Sequence, residues 1–146
     1  MDSEYLALAV AGYQPANMRS QVLETGHNRV ILDAYNANPS SMEAALKNLA
    51  GLSDPDKWII MGDMLELGSG SAGEHQRIVD LAIQLGLLNG ILIGKHFASL
   101  RVPEGFRVFR EIAEAREYLT KHPIRNGTLL VKGSRAMGLE KLTDLF

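Results

Sequence analysis

The sequence predicts an α/β fold, a Rossmann-like open and mainly parallel sheet with helices on both faces and an antiparallel hairpin at one edge. Three observations predict it. Short apolar segments alternate with helical stretches of about a dozen residues, the pattern of βαβ units. Those segments, such as "KWIIMGD" (57–63), "GILIG" (90–94) and "TLLVKGSR" (128–135), are apolar in continuous runs, which suits strands covered on both faces. Finally, "SQVLET" (20–25) and "RVILD" (29–33) alternate around "GHN", where Gly26 and Asn28 supply turn chemistry for a hairpin.

Taken in order, residues 4–12 read as the end of a helix, closed by Gly12 with Pro15 beyond. A helix that short is a marginal start for a domain, so the chain is expected to begin partway through something larger. After the hairpin, "SSMEAALKNLAG" places Met42, Ala45, Leu46 and Leu49 on one helical face. Ser40 and Glu43 have capping-box spacing, and Gly51 stands at the expected C′ position. Helices follow at 75–86 (Ile78, Leu81, Ala82, Leu85 on one face), at 111–122, and as a short last one at 138–146, with a weaker strand at 106–109. No internal repeat, low-complexity tract or linker interrupts the pattern.

Composition bounds the function. With 146 residues the chain is one domain by length. Hydrophobic residues at 46% and charged ones at 22% are globular proportions, and a net charge of −2 gives no reason to expect nucleic acid or an anionic membrane surface as partner. There is no cysteine, which excludes disulfides and thiolate metal sites. No apolar run approaches the roughly 18 residues of a membrane span. The acidic start lacks a signal peptide's basic and apolar regions, and a cytoplasmic location is expected.

In a parallel sheet, ligands bind beyond the carboxyl ends of the strands, near helix N-termini. Three polar loops fall at that edge: "DAYNANPSS" (33–41), "GDMLELGSGSAGEH" (62–75) and "KGSR" (132–135). Their convergence is a stronger signal than any one of them. Taken alone, Asp33 reads as a cap or Asx-turn acceptor before it reads as an acceptor of ribose hydroxyls. Asn36 and Asn38 are turn formers ahead of Pro39, or amide groups for a zwitterionic or heterocyclic ligand. Asp63 and Glu66 fix their loop or receive an ammonium group. His75 is a helix N-terminal residue or a ligand contact. Lys132, Ser134 and Arg135 form a solvated basic turn or a seat for a carboxylate or phosphate. Neither HxH nor HExxH occurs and the four histidines are scattered, so no dedicated metal site is expected. There is also no GxxxxGK[ST] and no GxSxG. Any ATP that meets this chain has its phosphates held elsewhere, and a serine-hydrolase elbow is excluded.

"MRSQ", "LDAYNANPSSMEAAL", "GDMLELG" with His75 downstream, "GKHF" and "KGSR", in this order, resemble the C-terminal domain of the Mur ligases, nearest the branch that adds D-alanyl-D-alanine. The likeness runs from about Ala9 onward. It implies a polypeptide with an N-terminal domain for the UDP-muramoyl-tripeptide and a central domain that holds ATP and magnesium. Residues 1–14 would then be the end of a helix from the preceding domain or linker, and 15–146 the C-terminal domain. The family forms an acyl phosphate on a peptide carboxylate, which the incoming amine attacks. By position, the resemblance implies that Arg19 reaches ATP phosphate or ribose and that Asp33 lies against the ribose. Asn36 and Asn38 would line the nucleotide and the incoming dipeptide, with Tyr35 as a flanking wall. Lys132, Ser134 and Arg135 would lie near the dipeptide carboxylate. Asp63, Glu66 and His75 match motif positions without an individual role, and the role of Met137 in "RAMGLE" is open.

Without a P-loop the chain alone is expected to fold and to be inactive. Two other readings stay open: a free-standing α/β domain that binds a nucleotide or amino acid for regulation, and the same domain from a ligase adding lysine or diaminopimelate. The "DAYNANP" string counts against the latter. A reading frame extending about three hundred residues upstream, with a P-loop, separates the former.

Overall fold

The computed structural model describes residues 21–33, 37–65 and 67–146; the helix expected at 4–12 and the boundary at 14/15 lie outside them. Strands β1 (Gln21–Glu24) and β2 (Arg29–Asp33) form the antiparallel hairpin, in the register Gln21 to Leu32. Its turn needs Gly26, whose φ is +90°. The Thr25 hydroxyl accepts from the Asn28 N–H at 3.0 Å and closes it.

Helix α1 (Pro39–Ala50) buries Met42, Ala45, Leu46 and Leu49, the face expected from their spacing. Its capping box is Asn38 with Ser41, not Ser40 with Glu43. Pro39 explains the shift: its fixed φ and missing N–H suit the first helical position, so the cap falls one residue before it. Glu43 instead receives Lys47 at 2.8 Å and Arg77 at 3.1 Å. Gly51 ends the helix with φ −77°, so the left-handed C′ geometry expected there is not used.

Next come β3 (Lys57–Gly62), α2 (Ser71–Gln84), β4 (Gly90–Ile93), α3 (Lys95–Ala98), β5 (Phe106–Phe109), α4 (Ile112–Lys121) and β6 (Thr128–Lys132). Helix α2 starts four residues before the expected 75, which puts His75 in its second turn. Helix α3 was not expected, because four residues are too few to show a period. The final segment is 3-10 (Leu139–Leu145) rather than α-helical. Leu139, Leu142 and Leu145 recur every three residues, the 3-10 period, and the first two are fully buried.

The six strands lie in the order β1-β2-β6-β3-β4-β5, all parallel except β1. Alternate strand residues feed two cores. Ile31, Leu130, Ile59, Met61 and Leu92 pack with α1, α2 and Phe97 on one face. Val30, Leu129, Val131, Ile60, Ile91 and Ile93 pack with α4 and the 3-10 segment on the other. The chain steps from β2 through β3 and β4 to β5 along the first face and returns to β6 along the second. A crossover of constant hand must change face when it changes direction, and the connections do so here. Among the described residues no helix is long and apolar enough to cross a membrane.

Asn28 ties the amino edge together. Its buried amide donates to the Ile124 oxygen at 2.7 Å and to an oxygen of Phe146 at 2.9 Å, and its Oδ1 accepts from the Gly127 N–H at 2.9 Å. Asn28→Ala strands several of these partners and should cost about 2–4 kcal/mol, read as a lower urea midpoint at unchanged slope.

Candidate functional site at the carboxyl edge

Strand β6 sits between β2 and β3, yet its outgoing chain leaves on the face opposite to theirs. That divergence opens a crevice at the carboxyl ends of the three strands, where an open α/β sheet places its ligands. The three polar loops meet there.

Asp33 and Lys132 are side-by-side partners in the last rung of β2 and β6. By alternation both project to the α1–α2 face. Lys132 Nζ donates to Asp33 Oδ2 at 2.8 Å, with the two side chains only 2% and 11% exposed. The basic turn expected at 132–135 is therefore not a solvated one. Lys132 is buried and neutralised by Asp33, while Arg135 is exposed.

The loop after β3 is fixed on three sides. Asp63 turns its carboxylate to the N-terminus of α3, where Oδ2 accepts from the His96 N–H at 3.0 Å and Oδ1 from the Phe97 N–H at 3.1 Å. Gly94 permits this approach: a Cβ there would lie 2.2 Å from the Asp63 carboxyl carbon, and its φ is +131°. Ser134 reaches across from β6, its N–H donating to the Asp63 carbonyl at 3.2 Å and its hydroxyl accepting from the Leu65 N–H at 3.0 Å. From α2, fully buried His75 accepts the Met64 N–H on Nε2 at 3.0 Å and donates its Nδ1–H to the Ser71 carbonyl at 2.7 Å. Those two bonds define the neutral tautomer. Nε2 lies 3.9 Å from Asp63 Oδ1, but with its lone pair given to Met64 the contact is no ion pair. Burial pushes the His75 pKa down, outweighing the upward pull of the Ser71 carbonyl and the Asp63 charge.

Asp33, Asp63, His75, Lys132 and Ser134 are thus brought into one hydrogen-bonded rim, with Arg135 one residue beyond it. Asn38 is exposed and its side chain caps α1. Arg19, Tyr35, Asn36 and Glu66 lie outside the described residues. Ser71 and His96 were missed by sequence reasoning: the Ser71 hydroxyl lies 2.9 Å from His96 Nδ1, and the rings of His75 and His96 stack at 5.0 Å. Partners 25 residues apart leave no local signal. Beside the rim a cavity of about 390 Å³, lined by Asp63, Lys95, His96, Arg110, Glu111 and Met137 among others, opens at the ends of β3 and β4. Among the described residues no three His, Asp or Glu side chains converge on a point where a metal ion would be held.

Residues 18–135 match the model of the family described as Mur ligase, glutamate ligase domain. The chain is 30% identical to a UDP-N-acetylmuramoyl-tripeptide–D-alanyl-D-alanine ligase of Rickettsia prowazekii over 99% of its own length and 33% of the relative's. It is 37% identical to the ligase of that name from Treponema pallidum, over 79% of itself and 27% of the relative. A crystal structure of MurF from Acinetobacter baumannii superposes with a TM-score of 0.75 at 33% identity, covering 90% of this chain and 30% of that one. The chain spans about a third of the length of the relatives it matches.

The neutral His75 links the rim to pH. Its pKa is lowered in the fold, so the unfolded chain takes up a proton first as pH falls below about 6.5. The stability tied to His75 is complete above that pH and declines beneath it. The melting temperature should therefore drop between pH 7 and 5, and His75→Gln, whose amide accepts from Met64 without titrating, should flatten the slope.

Proposed function

We propose, since this chain belongs to the Mur ligase family by its glutamate ligase domain, that it is the C-terminal domain of an ATP-dependent ligase that joins D-alanyl-D-alanine to UDP-N-acetylmuramoyl-tripeptide. The observation that carries this reading is the stitched rim, in which Asp33–Lys132 and Ser134 with the 63–65 backbone bring three loops to one edge of the sheet. The names of the relatives agree with it.

In this reading the enzyme works in the cytoplasm, and its N-terminal and central domains, part of the same polypeptide, hold the muramoyl tripeptide, ATP and magnesium. The absence of a P-loop from the sequence fits that division. ATP supplies the phosphoryl group that activates the tripeptide carboxylate. This domain's own residues bind and orient. Asp33 accepts ribose hydroxyls while Lys132 fixes the carboxylate from the buried side, and Arg19 reaches a phosphate. Asn36 and Asn38, flanked by Tyr35, line the approach of the dipeptide. Ser134 and exposed Arg135 receive its carboxylate, where a planar guanidinium gives two parallel hydrogen bonds. Asp63 and His75 hold their loop in register. Closure of this rim over the other domains excludes water from a reactive acyl phosphate, and the binding energy of both substrates drives it.

Titrating the ¹⁵N-labelled chain with D-alanyl-D-alanine tests the assignment. Fast-exchange amide shifts should appear at residues 63–65 and 133–135, with a dissociation constant on the order of millimolar, since half of the closed pocket is absent. L-alanyl-L-alanine should give smaller shifts, and Asn28 and Gly127 at the far edge should not move. Shifts scattered over both edges, or none, would overturn the proposal.

A further inference from the structure

The amino edge of the sheet carries a larger cavity, about 840 Å³, on the α4 face and away from the rim. Its floor is built by the second residues of three adjacent strands. Trp58 and Ile91 face the α4 core, and Arg107, beside Ile91 in register, lays its guanidinium 4.9 Å from the centroid of Tyr118 in α4. Beyond the end of α4, His122 stacks on Tyr118 at 4.4 Å with the planes 18° from parallel. Arg125 closes the lining.

Two properties of this lining point to a ligand class. Volume is in the range of small-molecule sites, and the lining holds the stack of Arg107, Tyr118 and His122 together with the indole of Trp58, aromatic surface that an added ring can extend. Among the described residues neither Arg107 nor Arg125 has a carboxylate partner; Arg125 donates to the Ile124 carbonyl and Arg107 stacks on Tyr118. A guanidinium stacked on a ring keeps its N–H edge for an anion. Asp56 and Glu104 on the same lining add acceptors for ring amino groups.

We propose that this cavity is a second ligand site, taking a planar heteroaromatic ring that carries an anionic group and is of mononucleotide size. It shares no residue with the carboxyl-edge rim, so it stands or falls independently of the ligase reading.

Trp58 is the only tryptophan of the chain, so its fluorescence reports this cavity directly. Titration with adenosine monophosphate should quench it saturably. Adenosine alone and inorganic phosphate alone should act at least about tenfold more weakly, since each supplies only one of the two recognised features. Arg107→Ala and Arg125→Ala, both at exposed positions, should stay folded by circular dichroism and weaken the quenching about tenfold each. Absence of saturable quenching up to about 10 mM, a constant near the weak end of specific binding, would overturn the site. Quenching by adenosine equal to that by the monophosphate, or quenching unchanged in both arginine variants, would equally overturn it.

Discussion

A lysine ammonium and an aspartate carboxylate share the floor of the carboxyl edge, and the arrangement around them follows from keeping that pair intact. Removing two charges from water costs several kcal/mol per ion, recovered only with good geometry and a fixed partner. Asp33 and Lys132 meet this by ending neighbouring parallel strands in register, which sets their Cα atoms side by side before the side chains choose a rotamer. The pair joins the inserted strand β6 to β2. One turn of chain further on, Ser134 joins it to the loop after β3.

Topology makes this possible. A strand that returns along the opposite face and inserts between two earlier ones leaves a crevice on either side of its end. Close approach there depends on residues without side chains. A Cβ on Gly133 would come within 3.0 Å of the Gly62 backbone, so the ends of β3 and β6 could not lie as they do. The same need explains Gly94, which lets α3 present its first N–H groups to Asp63. The rim is thus braced on the side facing the protein core and opens on the other to the cavity at the ends of β3 and β4.

The sheet, its hairpin and the faces of α1 and α2 were legible in the sequence because they rest on periodicity and turn chemistry, both local. What was not legible depends on tertiary partners. Pro39 moved a capping box that spacing alone assigned to Ser40. The 3-10 segment was hidden because Leu139, Leu142 and Leu145 suit either helix until the sheet beneath them selects a three-residue period. At the site, the polar composition of the three loops announced a common edge, but not that Lys132 would be buried against Asp33. Strand alternation from Leu130 would have indicated its face; the partner, 99 residues away, is set by the insertion of β6. Asp63 and His75 likewise proved to be builders of the loop, each engaging backbone N–H groups that no motif spacing specifies.

The account rests on the buried pair acting as a unit, and a double-mutant cycle on Asp33 and Lys132 measures that most directly. Asp33→Asn and Lys132→Met, each leaving the other group in a site shaped for its partner, should cost about 3–5 kcal/mol singly. The double variant should lose clearly less than their sum, giving a coupling of about 2 kcal/mol or more. Single losses that add to within about 0.5 kcal/mol would mean that the two charges do not depend on one another, and the rim would have to be held by something else.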